Sequence, residues 1–157
     1  MAFRFVRFRG VMQSPTVILT VAASGTIQRG SIVEFSRTNN RVEPASASTT
    51  YTNIFGIALD YVEGASNTKT RVIPIVPGQL WEADCANAPT TAQIFIKHGL
   101  QDAVTLRNTS YDRTVATGIF IAYLINTAVV TGANASAIIG EFIRAPVGFS
   151  TNTAGYF

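Results

Sequence analysis

Few residues of this chain can do chemistry, and their spacing decides what kind. The single histidine, His98, lies four residues before Asp102. A carboxylate can orient an imidazole as general base, but acyl transfer also needs a positioned nucleophile. Gly99 between the two argues against a stable helix that would bring them onto one face. The chain has no G-x-S-x-G elbow, no G-x-x-x-x-G-K-[ST] loop and no G-x-G-x-x-G fingerprint. Cys85 is the only cysteine, so no disulfide framework exists, and its expected place is a small apolar core position. One His and one Cys fall short of the usual composition of a zinc site. Asp60 and Glu63 approach a turn and read as solvated loop acids rather than as an acid–base pair. The expectation is a non-enzymatic protein with no catalytic residue, no metal and no cofactor.

The charges point instead to contacts. Residues 1–41 hold six arginines (Arg4, Arg7, Arg9, Arg29, Arg37, Arg41) against one acid, Glu34. The remaining 116 residues carry six basic and eight acidic groups. Arginine forms planar, bidentate contacts with carboxylates and phosphates, which suits interfaces. Residues 1–15 interleave arginine with phenylalanine and segregate neither cleanly onto one strand face. They are expected to form an extended N-terminal arm lying on a neighbour. Phe3, Phe5 and Phe8 would be its apolar anchors, and Arg4, Arg7 and Arg9 would meet acidic rims. The alternative is an edge strand with a bulge near Val6. The tail, residues 145–157, ends in aromatics after a glycine-bearing run, so Phe149, Tyr156 and Phe157 join the candidate interface. Arg–Phe interleaving and a sequence pI of about 9.4 also raise direct nucleic-acid binding. Two lysines in all, and no basic stripe after Arg41, weigh against it.

These groups must be carried by a framework, and the framework reads as all-β. The chain has 157 residues, 47% hydrophobic but only 13% charged. That charged share is about half of the usual ~25%, as in domains that hide surface against partners. Helical periodicity is scarce and β-branched residues are dense. Expected strands cover residues 3–9, 16–22, 31–36, 54–61, 70–76, 79–85, 93–97, 103–107, 118–125 and 138–144. Turn chemistry separates them at Ser24–Gly25, Asn39–Asn40, Glu63–Gly64 and Pro77–Gly78. Many short antiparallel strands at this spacing predict a compact β-barrel or β-sandwich over residues 16–144. Within 54–61, Phe55, Ile57, Leu59 and Tyr61 fall on one face and Gly56, Ala58 and Asp60 on the other. One face is bulky; the other admits close backbone approach. Residues 118–125 are apolar on both faces and should form a central strand covered twice. Pro74 should place its strand at an edge or at a bulge. Residues 44–52 read as a solvated loop. A basic start followed by PTVILTVAASG mimics a secretory signal, with Ala22 and Ser24 before a cut. The apolar basic region and the break at Gln13–Ser14–Pro15 oppose that, so an uncleaved start is expected. No segment approaches ~20 uninterrupted apolar residues, so no membrane helix is expected.

One resemblance rests on particular residues. Ser24-Gly25-Thr26-Ile27-Gln28-Arg29-Gly30-Ser31-Ile32-Val33 is followed by Ile54-Phe55-Gly56-Ile57-Ala58-Leu59, then by residues 70–74, then by Pro77-Gly78-Gln79-Leu80-Trp81-Glu82-Ala83. Residues 108–113, 118–123 and 140–144 continue the layout. This pattern resembles the small head decoration, or capsid cement, proteins of tailed bacteriophages. The resemblance covers most of residues 24–144 and leaves out the N-terminal arm. It implies a non-enzymatic β-rich protein made in the host bacterial cytoplasm and carried on the outer capsid surface of the virion. The implied partner is the major capsid protein, and the implied assembly is a homotrimer bridging capsomers against DNA pressure. The other reading is a virion tail, fibre or receptor-binding β-module, which exposed loop tyrosines near Tyr51, Tyr111 and Tyr156 would favour.

Overall fold

The computed structural model describes residues 3–8, 17–21, 25–36, 41–63, 68–108, 118–126 and 137–143. Among them the fold is all-β, as the turn spacing implies. The strands are β1 (Arg4–Phe8), β2 (Ile18–Val21), β3 (Ile32–Ser36), β4 (Arg41–Pro44), β5 (Ile54–Ala58), β6 (Lys69–Pro74), β7 (Gln79–Asp84), β8 (Lys97–Asp102), β9 (Thr105–Arg107), β10 (Phe120–Asn126) and β11 (Ala137–Phe142). They form two antiparallel sheets. One is six-stranded in the order β1-β7-β11-β10-β8-β9; the other is five-stranded in the order β2-β6-β5-β3-β4. Both sheets curl. In the first, Cys85 bridges Leu106, bringing the end of β7 back to β9. In the second, β2 and β4, its two edges, approach each other.

β5, in the interior of the five-stranded sheet, is covered on both faces, which is why it is apolar or small throughout. Ile32, Ile54, Ile57, Ile73 and Ile75 face the main core shared with the six-stranded sheet, opposite Trp81, Leu100, Phe120, Ile138 and Phe142. Val33, Val42, Ala58 and Val72 turn the other way, onto a second core closed by Ile27 and Val62. Ile27 and Val62 hold each other through reciprocal backbone bonds of 2.9 Å. Gly56 sits where an added Cβ would meet Val72 Cγ1 at 2.3 Å and the Ile73 carbonyl oxygen at 2.5 Å. This is the close backbone approach expected of that face.

Several expectations need correction. Strict alternation along β5 fails, because a register shift between Val33 and Glu34 opposite it turns Phe55 into the second core beside Phe35. A bulge adds one residue and resets which side chains share a face. Pro74 lies on neither an edge strand nor a bulge. It ends β6, between β2 and β5, past the stretch where β2 pairs (Val72 back to Lys69), so its missing N–H costs no bond there. Residues 41–44, which no expected strand covered, form β4 against β3, so the segment read as a solvated loop from residue 44 begins inside a strand. Residues 93–97 are not a strand. A 3-10 turn (Thr91–Gln93) and a bend precede β8, which begins at Lys97.

The largest correction concerns the arm. Residues 3–8 do not extend away from the domain. They form β1 at the side of β7, with Arg4 opposite Glu82 and Phe5 opposite Trp81. The register shifts between Phe5 and Arg7, so the bulge near Val6 is present. Phe3 is in the main core, 5.6 Å ring to ring from Phe142 and 6.4 Å from Phe120. Its amide donates to the Gly30 carbonyl at 2.9 Å. Mixed Arg–Phe patterning, unreadable as a free hairpin, is ordinary for an edge strand in which Phe3 and Phe5 reach the core and the Arg4 guanidinium stays at the surface.

Candidate interaction surface

Of the residues weighed for chemistry, His98 and Cys85 are buried and Asp102 is not. His98, on β8, is 1% exposed, and its Nε2 donates to the Gln93 carbonyl at 2.9 Å. Burial pushes its pKa below the ordinary imidazole value, partly offset by hydrogen bonding to that carbonyl. Asp102 does not orient it. Its Oδ1 accepts from the Val104 amide at 2.8 Å, on the exposed β8–β9 turn. Cys85 is buried in the main core, and burial pushes its thiol up to about 12. Among the described residues no group of three or more His, Cys, Asp or Glu side chains is placed to hold a metal ion.

The candidate interface residues separate into three sets. Phe3 is buried, and Phe5 packs edge-on against Trp81 at 5.4 Å, so neither ring is presented outward for a partner. Arg4 donates from Nε to Glu82 Oε1 at 2.6 Å and from Nη2 to Asp84 Oδ1 at 3.2 Å. Asn126 Nδ2 donates to the second oxygen of Glu82, completing a cross-strand cluster over β1, β7 and β10. The acids that Arg4 was expected to find on a neighbour are therefore on its own sheet. Arg7 and Phe8 belong to β1 by backbone, but their side chains lie outside those described, as do Arg9, Phe149, Tyr156, Phe157 and Tyr111.

A second ion pair has a pH signature. Arg71 grips both carboxylate oxygens of Asp60, with Nη2 to Oδ1 at 2.6 Å and Nε to Oδ2 at 3.0 Å; its amide also donates to Oδ2 at 3.0 Å. The Arg71 hydrogen bonds hold the Asp60 carboxyl down at about 2, against an ordinary 3.8. Because the folded value lies below the unfolded one, the stabilisation is complete above about pH 4 and fades as pH falls toward 2. Melting temperatures of wild type and Asp60→Asn should therefore differ at pH 6 and converge near pH 2. The pair is exposed, so the difference is expected to be small. Curves parallel down to pH 2 would contradict the linkage.

The surface feature that the sequence reading missed is Phe95. It is 76% exposed and is the only non-glycine residue among those described with positive φ, at 60°. A phenylalanine in the left-handed region is strained by about 1–2 kcal/mol. Leaving its ring in water forgoes a further ~2 kcal/mol of burial. The surroundings enforce the conformation. The Phe95 amide donates to the Ala122 carbonyl at 2.8 Å. Gln93, two residues earlier, is buried, and its Oε1 accepts from the Thr90 amide at 2.8 Å. Gln93 Nε2 donates to the Asn108 carbonyl, while the Asn108 side chain takes the Asn87 amide at 2.9 Å and donates to the Asn87 carbonyl at 2.7 Å. With His98 on the Gln93 carbonyl, this buried polar network fixes the turn from below. Outside, the Tyr123 ring lies 6.1 Å from that of Phe95, and the Tyr123 hydroxyl reaches Glu141 Oε2 at 3.4 Å. Leu124, 48% exposed, follows a register shift between Ala122 and Leu124. β10 is central, as expected, but the exposed Leu124 and half-buried Ile121 and Tyr123 show that it is not covered on both faces. No signal short of the fold singles out Phe95, since residues 93–97 alternate like a strand.

In comparison with known proteins, no family model, no curated protein and no solved structure matches this chain.

Proposed function

We propose that this chain is a non-enzymatic structural protein that binds the outer surface of an icosahedral phage capsid and cements neighbouring capsomers. One observation carries the binding half of this reading: the fold holds a strained aromatic, Phe95, in water while burying His98 and Cys85. A protein that spends conformational strain on an exposed ring invests in a surface rather than in a catalytic cleft. The capsid half rests on the resemblance. Several of its residues do framework work here: Ile27 and Val33 build the second core, Ile32 and Ile57 the main one, and Gly56 permits the approach of β6. Mechanically, a rigid two-sheet module spanning adjacent capsomers resists their separation. If it acts as a homotrimer, three attachments per assembly raise avidity by roughly 10²–10⁴ over a single one. Heads stripped of this chain should lose their DNA at a lower temperature, and adding back the purified chain should restore retention. Identical release with and without it would remove the cementing role.

The tail or receptor-binding reading keeps one observation in its favour. Tyr51, on the loop after β4, and Tyr61, after β5, are 41% and 61% exposed, as a host-contacting module would want.

A further inference from the structure

The single histidine of the chain sits where a second ring proton is hard to accommodate. The Gln93 carbonyl can only accept, so the Nε2 atom 2.9 Å from it carries the hydrogen and Nδ1 holds the lone pair. Nδ1 is buried and finds no hydrogen-bond partner among the described residues. We propose that this imidazole is an acid-sensitive latch: neutral, it holds the turn of residues 90–95 shut, and a proton on Nδ1 releases that turn while both sheets stay folded. The geometry decides which part gives way. The His98 backbone is fixed in β8, between β9 and β10, and its carbonyl takes the Ile119 amide at 2.9 Å. The turn belongs to neither sheet. It is held by the Gln93 amide on the Thr90 carbonyl at 3.0 Å, by the Phe95 amide on Ala122, by the Gln93 side chain on Asn108, and by His98 on the Gln93 carbonyl. The left-handed backbone of Phe95 already strains it. A charged ring therefore reaches water by displacing the turn rather than β8.

Burial is what keeps the ring neutral; the Gln93 and Arg107 backbones favour the charged form more weakly. Charged side chains of the surrounding strands point elsewhere. Directly paired residues share a face and neighbours along a strand alternate, so Lys97, Arg107 (opposite Gly99) and Tyr123 lie on the other face of the sheet from His98. Residues 87–93 carry no titratable side chain. Cys85, which bridges Leu106 in the core, keeps its proton with its thiol at about 12. Asp102 is engaged on the exposed β8–β9 turn. The folded ring therefore titrates below its ordinary 6.5. The closed turn is fully favoured above that pH and loses favour as pH falls from it.

Hydrogen exchange of the full chain, corrected for the pH dependence of the intrinsic rate, tests the latch at the Gln93, Ile94 and Phe95 amides. One linked proton raises the opening at most tenfold per pH unit, or about 30-fold between pH 6.5 and 5. Protection at these three amides should fall several-fold or more, up to roughly that limit, and return on neutralisation. The Ala58 and Ile143 amides, bonded to the Ser31 and Ile119 carbonyls, should keep theirs. His98→Gln, which retains a donor but cannot titrate, should show no such fall. Unchanged wild-type protection, an equal fall in His98→Gln, or loss at Ala58 and Ile143 in step with the turn would each overturn the latch. If His98→Gln does not fold, the wild-type ring decides alone, since it gives the only histidine signal in an NMR titration. A midpoint below 6.5 that coincides with loss of protection in the turn supports the latch. A midpoint at or above 6.5 with the turn still protected overturns it.

Discussion

Gly140→Ala should lower the stability of this protein by about 3 kcal/mol or more, a large share of a total of ~5–15 kcal/mol. A Cβ built on Gly140 would sit 1.9 Å from the Ile121 carbonyl oxygen and 2.7 Å from Phe120 Cε1. A ring can swing aside, but a carbonyl of β10 cannot move without breaking its ladder. Gly140 faces Ala122 across the β10–β11 pair, next to the shift that places Tyr123 and Leu124. Strands β7 and β10 flank β11, so the damage reaches the middle of the six-stranded sheet. Urea denaturation reads the effect as a fall in midpoint. A midpoint equal to wild type would mean that the two strands can part at no cost, against the packing described. Gly56→Ala should behave alike, for the Ile73 carbonyl is there the fixed obstacle.

Phe3→Ala has the second-largest expected effect, and it separates the arm from the edge strand. A ring waiting for a neighbour could be removed without loss of stability. Phe3 is instead 3% exposed, against Phe120 and Phe142. Truncation should cost about 3–4 kcal/mol through lost burial and the cavity left behind. Phe142 itself touches Trp81 and Phe120, at 6.1 and 5.1 Å between ring centroids, so the cavity would open at the centre of the aromatic cluster. An unchanged melting temperature for Phe3→Ala would restore the arm. The fold predicts that variants of Phe5 act in the same direction, through the contact with Trp81.

The sequence carried the class of fold because that depends on local signals. β-branched runs form the strands, Gly25, Gly30 and Gly78 mark turns between them, and the small face of β5 was visible in Gly56 and Ala58. What it hid depends on register. A single-residue shift opposite β5 moved Phe55 from one core to the other, and another in β10 put Leu124 outside. Such shifts arise from tertiary fit and leave no local mark. The first strand was misjudged for a related reason. Its pairing with β7 shifts register near Val6, which a sequence pattern does not show. Phe95 was the hardest to see. Its exposure follows from a positive φ that Gln93, Asn108 and Ala122 impose from three separate places in the chain.

The capsid reading is tested most directly by separating particles that contain this chain on a density gradient and quantifying it against the main shell subunit. The account predicts near-stoichiometric co-migration with expanded, DNA-filled heads and absence from unexpanded precursor shells. Recovery with tails at low copy number, or absence from particles altogether, would contradict it.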